Sequence, residues 1–423
     1  DAPDHRLIRS GVLLAHRVLD GRGEWYLGAP DWVPLLPQER IDPMSHGDLP
    51  EELADLVRPF RRRAPLGPVA ALRCERREFA LRDDRGTTMA LLRDDKVTVR
   101  RGGLTTARYR EVMMTPVGPG LTAKQDAWLG SCLRSAGATT VPKFPRLVTR
   151  LGAPSTGPTD FPAPQPLDGD GPFGHFVSSL LAARLRELLQ ADLGVRAGRP
   201  EASATLAGAA RLLRAQLEGL SSVLEPGWVE DLDEELGWLI DTAAAEAPGG
   251  RPGDEPAEAD LRARLRGERY LTLLERLVTA ARAPAGGDSS ALRTEDVLQA
   301  LLDAALQRLT RSAGRLAADS PAEDWQAARF ALDEVVQVCA LYAMVAGDRF
   351  TRLQGRLAAV ADLFDEAASA SQTAAQTRAG VAEVTPAEAF ELGLRYAAEQ
   401  QVAHAAREEF VRHWSRAAKK LTA

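Results

Sequence analysis

The sequence predicts an α+β protein of more than one domain: an antiparallel β-barrel or tunnel, then an all-α region built as two repeated four-helix bundles. Three observations predict it. Up to about Gly152 the apolar residues come in short runs separated by turn formers. From Phe173 to the end they recur every three to four residues. Between the two lies a Pro-, Gly- and Asp-rich stretch, Ala153 to Gly171, with no period at all. The expected boundaries are therefore 1–152 for the β domain, 153–172 for a linker and 173–423 for the helical domain. At 423 residues the chain is long enough for two or three packed domains.

In the first part, Val12-Leu13-Leu14, Trp25-Tyr26-Leu27, Val69 to Leu72, Met89 to Leu92, Val97-Thr98-Val99 and Tyr109 to Met114 read as strands. Asp83-Asp84-Arg85-Gly86 and Arg101-Gly102-Gly103 carry the residues that hairpin turns require. Glu51 to Val57 and Ala123 to Ala136 have helical spacing. In the second part Leu206, Leu213, Leu217, Leu220 and Leu224 mark one helical face. Val297, Leu301, Leu302, Leu306 and Leu309 mark another, and Leu353, Leu357, Val360 and Phe364 a third. Breaks at Pro248 to Pro256 and Pro284 to Ser290 divide this region, the second into repeats of about 173–285 and 291–423. A last helix is expected over Val381 to Lys420.

Composition narrows the function classes. The 53 basic residues face 59 acidic ones, a net charge of −6, which argues against a nucleic-acid coat and leaves room only for a local basic patch. Five of the basic residues are lysines, a usage typical of a high-GC bacterium. Three scattered cysteines (Cys74, Cys132, Cys339) make neither a disulfide framework nor a CxxC knuckle, so a reducing cytoplasm is the expected compartment. No run approaches eighteen apolar residues, and no targeting segment is recognisable. The first residue is Asp1 rather than Met. The six histidines show no HExxH or HxH spacing, and no GKS/T loop, GxGxxG after a strand or GxSxG elbow occurs. Trp228, Trp238, Trp325 and Trp414 sit in apolar helix patterns and are expected in the core.

Longer stretches carry a resemblance. "DHRLIRSGVLLAHRV" with "GEWYLGAP" (Asp4 to Pro30), "LPEELADLVRP" (Leu49 to Pro59), "PLGPVAALRCERR" (Pro65 to Arg77), "MALLRDDKVTV" (Met89 to Val99), "YREVMMT" (Tyr109 to Thr115) and "LRSAGA…PRLVTRLG" (Leu133 to Gly152) resemble the CYTH domain of the triphosphate tunnel family. "EELGWLID" (Glu234 to Asp241), "RYLTLLERLV" (Arg269 to Val278) and "FELGLRYAAEQ…FVRHW" (Phe390 to Trp414) resemble the helical CHAD domain. The two domains in this order recur in bacterial proteins that act on, or bind, inorganic polyphosphate.

The resemblance implies a metal-dependent triphosphatase, in which basic residues clamp phosphates and carboxylates from several strands hold Mg or Mn. Only fragments of that set remain. The late strand, where alternate glutamates belong, reads Glu111, Met113, Thr115. The preceding family glutamate falls near Leu91, with Asp94 close by. The "LRxR" pair reads Ala15 and Arg17, the lysine of "LKxP" falls on Gly28, Glu39 survives near Pro37, and the closing "SK" reads Pro145-Arg146. The opening "ExExK" strand would lie before Asp1. The candidate metal ligands are thus Glu39, Asp94 and Glu111, and the candidate phosphate ligands of the tunnel are Arg17, Arg73, Arg76 and Arg146.

In the helical half the first "HxxRVxxRRLR" motif maps to Ala204, Ala207, Arg211, Leu212 and Arg214. The second reads "WQAARFALDEVV" over Trp325 to Val336, with Arg329 kept and Asp333 and Glu334 where basic residues belong. Arg349, Arg352 and Arg356 complete a weak basic set. Carboxylates facing a polyanion channel would repel its ligand.

Three functions follow. The first is a catalytically degenerate scaffold or partner-binding subunit, without enzyme activity or cofactor, joined to a protein partner or to its own copy. The second is a polyphosphate-binding module that targets polyphosphate granules without turnover. The third is an active triphosphatase, if the opening strand exists upstream. No membrane and no specific nucleic acid is expected as a partner.

Overall fold

The computed structural model describes every residue except 44–47, 119, 246–256, 381–385 and 422–423. The chain divides into two compact units, Asp1–Pro162 and Ala163–Ala423. The first holds antiparallel sheets and the second is helical, as the two periodicities require. The break expected at Pro248 to Pro256 lies outside the described residues.

The first unit opens with a short helix α1 (Arg6–Arg9) and a sheet of β1 (Leu13–Leu19), β2 (Arg22–Gly28) and β3 (Glu39–Pro43), in that order. Asp20 and Gly21 join β1 to β2 with φ of 50° and 80°. Two successive left-handed residues match the twist of a tight hairpin, and glycine takes the second without strain. Helix α2 (Glu51–Arg61) follows, then a second antiparallel sheet of β4 (Ala71–Arg82), β5 (Thr88–Arg101) and β6 (Leu104–Pro116). Helix α3 (Ala123–Ser135) starts at a reciprocal capping box between Thr122 and Gln125. A short helix, α4 (Leu147–Leu151), closes the unit against β5: Leu151 is buried with Val97 and Val99, beside Leu147 and Tyr109.

Three expectations change here. The strand β3 lacks a sequence signal, because Ile41 is its one apolar residue and Pro43 ends it. The runs Met89 to Leu92 and Val97 to Val99 belong to one long strand, β5. The 153–172 stretch is not all linker. Ser155, Asp160 and Phe161 are buried in the first unit. Phe161 meets Trp32 and Phe60 edge-on at 6.3 and 5.8 Å, and Asp160 holds the buried Arg62 at 2.5 Å. Apolar and charge-paired burial, not periodicity, ties these residues down, and the division between units falls after Pro162.

The second unit contains α5 (Phe173–Arg196), α6 (Ala202–Gly219), α7 (Pro226–Ala244), α8 (Ala257–Arg266) and α9 (Glu268–Arg282), then α10 (Thr294–Ala313), α11 (Ala322–Ala346), α12 (Thr351–Gly380) and α13 (Pro386–Leu421). Five described helices precede the 284–290 break and four follow it. In the first part α5 packs on α6 and α9, and α6 on α7; in the second α10, α11, α12 and α13 pack consecutively, and α6 also packs on α11. The predicted faces are inward: Leu206, Leu213, Leu217, Leu301, Leu309, Leu357, Val360 and Phe364 are all buried. Trp325 and Trp414 are core residues gathered around Phe410, at 5.3 and 5.7 Å between rings. Trp228 and Trp238 are only half-buried, and Arg269 stacks over Trp238 at 4.7 Å. No described helix is long and apolar enough to cross a membrane.

Candidate functional site

Side chains on a strand alternate between faces, so the register of β4, β5 and β6 decides which charged residues share a surface. Arg76 lies opposite Asp95, and Asp95 opposite Glu111. This is the packed face, which also carries Val97, Val99 and Tyr109 against α4. Arg77 lies opposite Asp94, and Asp94 opposite Val112, on the open face. Asp94 and Glu111 therefore sit on opposite sides of one sheet. Arg73, opposite Thr98, shares the open face with Asp94, while Arg76 shares the packed face with Glu111.

That separates residues expected to act together. Glu39 is in the other sheet, across from Gly28 on β2. Among the described residues no group of three metal-ligating side chains forms. Each expected carboxylate is also engaged. Arg110 forks onto both oxygens of Asp94 at 2.6 and 2.7 Å, and this bond holds the Asp94 carboxyl below its ordinary range. Glu111 accepts from Arg150 at 3.0 Å, and Glu39 lies 3.9 Å from Arg17. The Mg or Mn that the resemblance implies does not fit this arrangement. The carboxylate that does stand beside Glu111 is Asp95, missed because two adjacent aspartates differ only in strand phase.

Most of the expected phosphate ligands are likewise occupied. Arg17 donates to Glu24 at 2.7 and 2.9 Å and stacks over Tyr26 at 4.1 Å. Arg76 is held by Asp95 at 2.8 and 3.2 Å, with Arg93 on the same carboxylate at 3.2 Å. Arg73 lies 3.4 Å from Glu75, and Arg146 lies 3.8 Å from Asp31. In the helical unit Arg214 forks onto Asp233 at 2.6 and 2.8 Å, and Arg329 bonds Asp333 at 3.1 Å and also Asp365. Arg349 bonds Glu295 at 3.1 Å, and Arg356 bonds the carbonyl of Lys420. Arg211 and Arg352 have no carboxylate partner among the described residues.

Arg214 and Arg329 do not share a site. Gln216 contacts Met344 at 3.9 Å, and Gly219 abuts Gln337 and Leu341, so α6 and α11 run antiparallel. Arg214 and Arg329 lie beyond opposite ends of that contact, about 20 Å apart along the axis at about 1.5 Å per residue. Charge divides between the units as well. The first holds 25 basic and 20 acidic residues, a net +5, and the second 28 and 39, a net −11. A strongly acidic helical unit opposes polyanion binding by its overall field.

The basic surface lies elsewhere. On the open face of the second sheet Arg73, Arg77, Lys96, Arg100, Arg108 and Arg110 are exposed, against Glu75 and Asp94. Lys96, Arg100 and Arg108 make no ion pair among the described residues. Runs such as "RCERR" and "ARYR" contained this signal, but only the pairing register collects it on one side.

No protein-family model matches the chain. It is 27% identical over 270 residues to the uncharacterized proteins MT2285 and Rv2226 of two Mycobacterium tuberculosis strains, covering 59% of this chain and 51% of each relative. The chain thus spans about half the length of the curated relatives it matches. Among solved structures, PptA from Streptomyces chartreusis is similar with a TM-score of 0.42 and 22% identity, over 58% of this chain and all of that one. The CHAD domain from the plant Ricinus communis is similar with a TM-score of 0.42 and 17% identity, over 60% of this chain and 94% of that one.

Proposed function

We propose that the chain is a non-enzymatic, partner-binding subunit akin to the CYTH–CHAD proteins it resembles in sequence. One observation carries the reading: four of the arginines that would clamp phosphate are bound by the chain's own carboxylates, Arg17 by Glu24, Arg76 by Asp95, Arg214 by Asp233 and Arg329 by Asp333. A phosphate entering any of these places must displace an existing charge-assisted bond, and it meets the repulsion of the displaced carboxylate. The separation of Glu39, Asp94 and Glu111 supports the same reading for the metal.

Calorimetric titration with tripolyphosphate and long-chain polyphosphate, with and without Mg²⁺ or Mn²⁺, tests it, with released phosphate assayed in the same samples. The expected result is no heat of specific binding and no metal-dependent release. Micromolar binding with turnover would overturn it.

A second reading, anion binding without turnover, is favoured by Lys96, Arg100 and Arg108 on the open face, which make no ion pair among the described residues. It predicts binding that weakens steeply with salt and is lost on Lys96→Glu combined with Arg108→Glu.

A further inference from the structure

The strand β4 is the least covered element of the first unit. Ala71 through Ala80 are exposed on both faces of the strand, including Leu72 and Phe79 at 46% and 47%. One edge pairs with β5, and among the described residues no strand pairs with the other. Its pairing with β5 is regular from Ala71 to Leu81, the register shifting only between Leu81 and Arg82. A long, regular edge without a neighbouring strand is a template for another strand; charges along it oppose pairing in registers that bring like signs together and permit it where opposite signs meet.

We propose that this edge pairs with β4 of a second copy, antiparallel about a two-fold axis at Arg76, joining the two sheets into one of six strands. A two-fold antiparallel pair must place one residue opposite itself, so few registers are possible. Centring on Glu75 opposes glutamate to glutamate and sets Arg73 against the partner's Arg77. Centring on Glu78 again opposes two glutamates. Centring on Arg77 opposes two arginines that have no carboxylate bound to them among the described residues, and sets Leu72 against the partner's Arg82.

Centring on Arg76 sets Glu75 against the partner's Arg77 twice over. It also sets Leu72 against Ala80, Ala71 against Leu81, and Arg73 against the ring of Phe79. The one like-charge pair, Arg76 with itself, is relieved because each Arg76 is already held by its own Asp95 at 2.8 Å. Arg76 is also the midpoint of the regular run Ala71–Leu81, so this register alone uses its whole length. The inference deepens the partner-binding reading and rests on it, naming a second copy as one partner.

Two measurements test it on the full chain. In a Cys74→Ser, Cys132→Ser background, Arg76→Cys is expected to form a disulfide-linked dimer on mild oxidation, because directly opposed residues bring their Cβ atoms within disulfide reach. Arg77→Cys, offset by two residues from its copy, is expected not to. In sedimentation equilibrium, Glu75→Arg and Arg77→Glu are each expected to weaken the dimer by about tenfold, since each turns two attractive pairs into repulsive ones. The double swap is expected to restore it. Cross-linking at Arg77→Cys instead, swaps that do not rescue, or a monomer at every concentration would overturn the strand pairing. A monomer that also fails to bind polyphosphate would leave the partner-binding reading standing.

Discussion

Asp94 and Asp95 are neighbours in the chain and face opposite sides of the same sheet, each bound by a different arginine: Asp94 by Arg110 on the open face, Asp95 by Arg76 on the packed face. A cluster of carboxylates that would gather a cation is thereby converted into two separate ion pairs. The local charge of the strand is satisfied from within the sheet, which leaves neither aspartate available to a metal.

The Asp94–Arg110 bond has a pH signature. The hydrogen bond from Arg110, assisted by its charge, holds the Asp94 carboxyl below the ordinary carboxylate value in the folded chain. A depressed folded value means stability that is present above the unfolded value, about 3.9, and lost as pH falls through the folded one. Asp94→Asn is therefore expected to be less stable than wild type at pH 7 and to converge with it in acid. Urea unfolding from pH 7 down to pH 2.5 measures this. Parallel stability curves for the two proteins would contradict it.

The helical half is legible because a 3.6-residue period needs only the apolar face, and Leu206, Leu213, Leu301 and Phe364 point inward. The β half was legible only in outline. In β4 the sequence "RCERREF" puts charges on both faces, which hides the alternation that would have shown its length. The site was least legible. Whether Asp94 or Asp95 joins Glu111 depends on strand phase, and whether Arg214 meets Asp233 depends on how α6 packs on α7. Neither relation is local.

Phe161 tests where the first unit ends. It is 1% exposed and completes a triangle of edge-on rings with Trp32 and Phe60, whose centroids are 5.1 Å apart. Phe161→Ala is expected to cost about 3–5 kcal/mol, the range for deleting a large buried aromatic side chain. Differential scanning calorimetry of the full chain should show the loss in a transition assigned to the β unit. A shift equivalent to an exposed substitution would return the 153–162 segment to the status of a linker.

The thiols divide by environment. Burial pushes the Cys339 thiol up to about 11, whereas Cys74 and Cys132 are exposed. The thiolate is the reactive form, so Cys339 is expected to be inert in the folded protein at pH 8. Titration with an aromatic disulfide reagent should count two thiols in the native chain and the third only in denaturant. Cys74 should react more slowly than an unshifted thiol, because partial burial and then the nearby Asp95 raise its pKa. Rapid native labelling of Cys339 would mean that α11 opens locally.

In the helical unit Asp192 and Arg196 form an ion pair with no solvent exposure at all, 2.8 Å apart one turn along α5, and Arg196 donates further to the Leu265 carbonyl at 3.0 Å. Two desolvated charges stabilise little as a pair, yet removing one leaves the other buried without this bond. Asp192→Ala is therefore expected to cost about 3–5 kcal/mol. Replacing both partners by apolar residues, Asp192→Leu with Arg196→Met, is expected to be close to neutral. Tyr270 reports on the same place. Its hydroxyl is pushed well above its usual value, first by burial and then by the negative charge of Asp192. Because the folded value is raised, the phenol adds stability that is complete below about pH 10 and lost as pH rises beyond it. In an alkaline absorbance titration one tyrosine should thus ionise only with unfolding. In the double apolar variant, where Asp192 is gone, that ionisation should begin at lower pH. A double variant as unstable as Asp192→Ala would show that the pair itself, and not the relief of a stranded charge, holds α5 in place.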